Sequence, residues 1–216
     1  FDLWVISDEV YADTVFGEEH ISIRSLPGMA SRTLVATSFS KSHALAGARV
    51  GALIGPREVI AVATRVATHS GFNVPLVAQK TALTAMRTGQ SWLAESKSAY
   101  REAMDLTTAR LRAAGIAFFA PQGGSYVFVD FRPILERKSA RLADLLEVAI
   151  DHGVLLCPGA ASGVGFENHA RLCYTAVPKD ELATGLARLT EAVRVITGGG
   201  VWLGQQIIQH LIQETY

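Results

Sequence analysis

Neither sign of charge prevails in this chain, whose 216 residues carry 20 basic and 20 acidic side chains. That balance gives no reason to expect nucleic acid or an anionic membrane as partner. No uninterrupted apolar run reaches the roughly 18 residues of a membrane-spanning helix. No charged segment followed by an apolar one opens the chain, so no secretion signal is read. Cysteine is scarce. Cys157 and Cys173 have no metal-ligand spacing, lie in apolar surroundings, and are expected to be reduced core residues of a cytoplasmic protein. The six histidines form no spaced cluster, so no metal is expected.

Hydrophobic residues make up 49% of the chain, enough to bury a sizeable core in one large domain or in parts of two. The chain opens at Phe1 without a methionine, and "FDLWVISDEV" reads as the inside of a fold, so a preceding portion is expected. "LWVIS", "TLVATSF" and "VGALIGP" predict strands, and helices are predicted over 57–70, 76–86 and 91–114. "IAFFAPQGGSYVFVDF" predicts an antiparallel strand–turn–strand unit. A helix over 140–152, strands in "VLLCP" and "ARLCYTA", and a helix over 179–197 follow. Alternation that gives way to a mixed pattern predicts an α/β fold. The boundaries read as 1–95, then 96–200 with the interdomain helix at its start, then an atypical amphipathic tail at 201–216. That tail could serve as a docking helix, an interface helix or an unrelated extension.

Lys41 stands out within "TSFSKSHALAGARVG". A surface lysine with a packed stem is the ordinary reading. Here Ser38, Ser40 and Ser42 offer hydroxyls, Arg49 offers a fork suited to phosphate, and Gly47 and Gly51 permit close backbone approach. This composition suits a phosphorylated cofactor that reacts with an amine. Upstream, Asp8 ends an apolar strand and Tyr11 follows three residues later, where one helical turn would present both to the same side. Taken alone, Asp8 reads as a helix N-cap. The "GGS" at 123–125 reads as a turn, His43 as structural, and Asp130 receives no role. Arg171 opens an otherwise core-like strand and on its own reads as an exposed strand-end arginine.

"SDEVYADTVF", "SFSKSHALAGARVG", "PQGGSYVFVDF", "GVLLCPGAASG" and "ARLCYTA" together resemble, in order, the landmarks of fold-type I aminotransferases of class I/II, which depend on pyridoxal 5′-phosphate (PLP). The resemblance covers almost all of residues 1–197, and "SKSHALAG" is also similar to arginine–pyruvate aminotransferases. It implies the C-terminal part of a large PLP-binding domain, mainly parallel sheet with helices, plus a smaller α+β domain. It implies transfer of an amino group from an amino acid to a 2-oxo acid, with substrates held in a cleft between domains and a homodimer in the full-length form. By resemblance Lys41 forms the Schiff base and shuttles the proton, Asp8 pairs with the pyridinium nitrogen, and Tyr11 donates to the cofactor's phenolate oxygen. Ser38 and Arg49 hold the phosphate, with Ser40 a weaker candidate, and Arg171 grips the substrate carboxylate. The chain departs from the pattern at Ser162, where an aromatic is common. A C–S lyase performing β-elimination, and a truncated inactive fragment, are the alternatives; the identity of the amino acid stays open.

Overall fold

The computed structural model describes residues 2–198 and divides into two compact units. Of the described residues, the first comprises 2–99 with 122–124, and the second comprises 100–121 and 125–198. The boundary falls within one long helix, α4 (Gln90–Ala113). The tail predicted at 201–216 lies outside the described residues.

In the first unit, three apolar runs become strands β1 (Val5–Asp8), β2 (Thr33–Ser38) and β3 (Gly51–Ile54), hydrogen-bonded in that order. β1 and β2 run parallel, with Val5 opposite Thr33 and Asp8 opposite Ala36. β3 returns antiparallel, with Ser38 opposite Gly51. Gly51 must lack a side chain, because a Cβ there would sit 2.6 Å from the Thr37 carbonyl oxygen. After β2 comes a single helical turn, α1 (Phe39–Ser42), capped by the Ser38 hydroxyl, which accepts the Ser40 N–H at 3.3 Å. Helices α2 (Arg57–Gly71) and α3 (Leu76–Thr88) follow, each entered through a proline. Val50, Ala78 and Ala82 form a small buried cluster with Phe39 and Ala48 packed on it. Many other apolar side chains of this unit are exposed, among them Leu3, Trp4, Ile6, Val66 and Phe72. The buried-strand character of "LWVIS" is therefore only half realised.

The second unit holds an antiparallel sheet of order β4-β5-β7-β6: β4 (Ala117–Phe119), β5 (Tyr126–Asp130), β6 (Cys157–Pro158) and β7 (His169–Cys173). Alternation along β5 and β7 sends Val127, Val129, Ala170 and Leu172 to one buried face. Leu172 lines a cavity with Leu182, Leu186 and Leu189 of α7 (Lys179–Thr197), which itself packs against α6 (Leu142–Asp151). The opposite face carries Tyr126, Phe128, Asp130, His169, Arg171 and Cys173.

The structure corrects several expectations. A short helix, α5 (Arg132–Lys138), follows β5 in a stretch for which no element was predicted. It starts because the Asp130 carboxylate accepts the Arg132 N–H at 3.0 Å and Pro133 presets the first turn. The "VLLCP" strand shrinks to two residues, since the Val154 N–H is engaged by the Ala149 carbonyl and pairing begins only at Cys157. The cysteines are both free but half-buried, not core: β7 alternation puts Cys173 on the less buried face, and Cys157 pairs opposite Arg171 on that side. No helix among the described residues is long and apolar enough to cross a membrane.

Leu145 is fully buried on α6, whereas Leu155 is 84% exposed. Leu145→Ala should cost about 2–5 kcal/mol in urea-induced unfolding of the second unit, and Leu155→Ala no more than about 0.5 kcal/mol. Equal effects would contradict the assigned core.

Candidate functional site

The polar residues singled out in the first unit gather at one edge of its sheet. Parallel pairing ends β1 and β2 at the same edge, so Asp8, at the close of β1, lies beside the strand that delivers Ser38 and then Lys41. Antiparallel β3 begins at that edge too, which brings Arg49, two residues before Gly51, to the same place. The carboxyl ends of strands in an open α/β sheet are where ligands ordinarily bind.

Local geometry differs from the expected helical turn between Asp8 and Tyr11. The strand ends at Asp8, whose carboxylate accepts the Val10 N–H at 3.2 Å, and a turn leads to a short 3-10 helix, Ala12–Thr14, with Tyr11 as its N-cap. Asp8 is therefore neither one turn of helix below Tyr11 nor the cap itself. Lys41 nevertheless reaches Tyr11, its Nζ standing 5.9 Å from the ring centroid. Asp8, Lys41 and Arg49 are all exposed, and Ser38 and Tyr11 are half-buried. Among the described residues this edge of the sheet is open. Arg49 donates from its guanidinium to the Ala46 carbonyl at 3.0 Å.

Two residues between Lys41 and β3, Ala44 and Arg49, take left-handed backbone conformations with φ of 54° and 51°. Such conformations are uncommon for side chains other than glycine, and they concentrate at functional loops. His43 behaves structurally, its Nδ1 lying 2.8 Å from the Ser42 hydroxyl and its ring tilted against Phe39.

The spacing of motifs did not single out Glu9. It is buried immediately beside exposed Asp8, and its N–H extends the pairing with β2 by donating to the Ala36 carbonyl. Its carboxylate meets the Ser22 hydroxyl at 2.8 Å and His20 Nε2 at 3.0 Å. Burial pushes the Glu9 carboxyl up, but hydrogen bonds from Ser22, His20 and Ser7 outweigh it and hold the group below its ordinary value of 4.5. Glu9 thus ties residues 20–22 to the strand end that bears Asp8. The only sequence signal was a carboxylate at a position whose alternation points inward.

Arg171 belongs to the second unit. It sits in mid-strand on β7, opposite Phe128 of β5 and Cys157 of β6, rather than at a strand end. It is exposed, and its Cζ lies 4.4 Å from the Tyr126 ring centroid. Asp130 on the same face accepts hydrogen bonds from Arg132 Nε at 3.0 Å and Nη2 at 2.7 Å, which hold its carboxyl below the ordinary range despite burial. Gly123 and Gly124 do form a turn, and Gly123 also bridges to Val15. Among the described residues no group of histidine, cysteine and carboxylate side chains could hold a metal ion.

Comparison with known proteins adds a consistent set of likenesses. Residues 1–189 match the family model described as aminotransferase class I and II. The chain is 38% identical over 196 residues to the arginine–pyruvate transaminase of Pseudomonas aeruginosa, covering 90% of this chain and 47% of that protein. It is 30% identical to the aspartate aminotransferase of Geobacillus stearothermophilus, covering 86% of this chain and 48% of that protein. Among solved structures, a single mutant of the Thermus thermophilus aspartate aminotransferase superposes with a TM-score of 0.79 at 29% identity, covering 88% of this chain and 48% of that one. The aromatic aminotransferase of Pyrococcus horikoshii gives 0.81 at 28% identity, covering 89% and 52%. The chain spans about half the length of the relatives it matches.

Because Glu9 titrates below its unfolded value, its contribution to stability is present above about pH 4.5 and is lost as pH falls through the lower folded-state value. Acid unfolding of the first unit should therefore begin below pH 4.5, and the dependence should flatten in Glu9→Gln. An unchanged acid profile in that variant would show that the Ser22–Glu9–His20 contacts do not anchor this edge.

Proposed function

This chain belongs to the aminotransferase class I and II family, and from that premise we propose that its sheet edge is a PLP site serving amino-group transfer from an amino acid to a 2-oxo acid. The observation that carries the reading is the convergence of Asp8, Tyr11, Ser38, Lys41 and Arg49 at one strand-end edge, drawn from three separate strands. The residues present suit the cofactor chemically. Arg49 and the Ser38 and Ser40 hydroxyls match a phosphate, Lys41 supplies an amine for an aldehyde, and Asp8 supplies a carboxylate for a ring nitrogen. When bound, PLP supplies an electron sink for the negative charge left at the amino acid's Cα.

The chain's own residues then have separable tasks. The Lys41 amine serves as covalent anchor and afterwards as the base that moves the proton at substrate Cα. Asp8, exposed and, among the described residues, holding only the Val10 N–H through one oxygen, keeps the other oxygen for the ring nitrogen. Tyr11, beside Lys41, offers its phenol to the cofactor oxygen nearest that amine. Arg171 offers a planar fork to the substrate carboxylate, so the α-carboxylate is recognised by the second unit. Amino-group transfer stands ahead of β-elimination because the relatives are named transaminases and aminotransferases.

A second reading draws on the chain's half share of its relatives' length and on the exposed apolar side chains of the first unit. In it the chain is an interaction or folding module of the same family that does not turn over alone.

Purified chain mixed with PLP and freed of excess should show a visible absorbance band that Lys41→Ala abolishes and Asp8→Ala weakens. Arginine with pyruvate is the first donor and acceptor pair to assay, followed by aspartate with 2-oxoglutarate. A new amino acid as product supports transfer, and ammonia with an oxo acid supports elimination. Cofactor bound without turnover supports the second reading, and an identical band in Lys41→Ala refutes the site.

A further inference from the structure

One side chain outside the roles assigned above touches Arg171 directly. Alternate residues of β5 and β7 share a face, so Tyr126, Phe128 and Asp130 lie beside Cys173, Arg171 and His169. Phe128 is directly opposite Arg171, and Tyr126 is its diagonal neighbour, a separation that aromatic and long side chains span. The Tyr126 ring takes up that diagonal, with Arg171 Cζ 4.4 Å from its centroid. A guanidinium engaged through its flat face keeps all of its N–H donors, which lie in its plane.

The surroundings leave those donors available. Among the described residues Arg171 is in no ion pair. Asp130 is the carboxylate on the same strand pair, opposite His169, and it is held by three Arg132 groups, the backbone N–H, Nε and Nη2. It also lies 3.5 Å from His169 Nε2. The cross-strand neighbours of Arg171 itself, Phe128 and Cys157, are uncharged. An arginine on a long stem would otherwise sample many rotamers, and ordering it on binding costs affinity.

We propose that Tyr126 is a positioning residue for carboxylate recognition: its ring holds the Arg171 guanidinium by one face, so that the in-plane donors meet a planar carboxylate without prior ordering. The proposal rests on the reading of Arg171 as the carboxylate-binding arginine. It makes the aromatic ring, not the phenol hydroxyl, the part that matters, so phenylalanine should replace tyrosine and an aliphatic residue should not.

The test is NMR of the side-chain Nε–Hε groups of the full chain during titration with sodium pyruvate, with the Arg171 signal assigned by its loss in Arg171→Lys. Wild-type Arg171 should show a ring-current shift before pyruvate is added and a saturating response to it. Tyr126→Phe should keep both, with affinity within about twofold of wild type, and Tyr126→Leu should lose the ring-current shift and bind about three- to thirty-fold more weakly. Backbone amide spectra report whether each variant is folded, and the wild-type and Tyr126→Phe results decide the matter if the leucine variant is not. Absence of the ring-current shift in wild type, or unchanged pyruvate affinity in folded Tyr126→Leu, overturns the role of Tyr126. In that second case a weakened Arg171→Lys leaves the carboxylate role of Arg171 standing. Wild-type affinity in Arg171→Lys, or no pyruvate response from wild-type Arg171, removes that role and the proposal with it.

Discussion

Everything at the first unit's sheet edge depends on the parallel pairing of β1 with β2. With Asp8 opposite Ala36, the acid that closes one strand stands two residues short of the serine that closes the next. Because the strands run the same way, both chain segments emerge on the same side. The turn carrying Tyr11 and the helical turn carrying Lys41 are thereby brought within reach of each other. An antiparallel pairing of the same two strands would send these groups to opposite ends of the sheet. A one-residue slip would reverse the face of every side chain on β1. Glu9 guards that register from the buried side, through its N–H to Ala36 and its carboxylate to Ser22 and His20.

The second unit solves a different problem with the same pleat. Alternation in β5 and β7 commits Val127, Val129, Ala170 and Leu172 to burial, which fixes the strands firmly. The residues between them are then presented on the other face at set spacing. Arg171 is rigidly placed at its backbone for this reason, and the cross-strand neighbours determine its surroundings. A side chain carried on a packed strand is more exactly positioned than one carried on a loop.

Most of the architecture was legible because hydrophobic period and punctuation agree locally. Helix α7 runs from Lys179 to Thr197 as its pattern predicts, and the "AFF" and "YVFVD" runs pair antiparallel around Pro-Gln-Gly-Gly. Legibility failed where a non-local or side-chain hydrogen bond decides the backbone. α5 is started by the Asp130 carboxylate, β6 is shortened by the Val154 N–H turning back to α6, and the Asp8–Tyr11 step is a turn because Asp8 bonds Val10. The lysine segment announced itself through its own composition. Glu9 and Tyr126 did not, since their importance lies in partners 11 to 45 positions away, which no local pattern reports.

Borohydride reduction of the chain after exposure to PLP, followed by peptide mapping, tests most directly whether this edge is built for a cofactor. If the edge is a PLP site, a single fixed adduct forms on Lys41, in the peptide that joins β2 to β3. Adducts spread over Lys80, Lys97 and Lys138, with Lys41 unmodified, would refute that assignment.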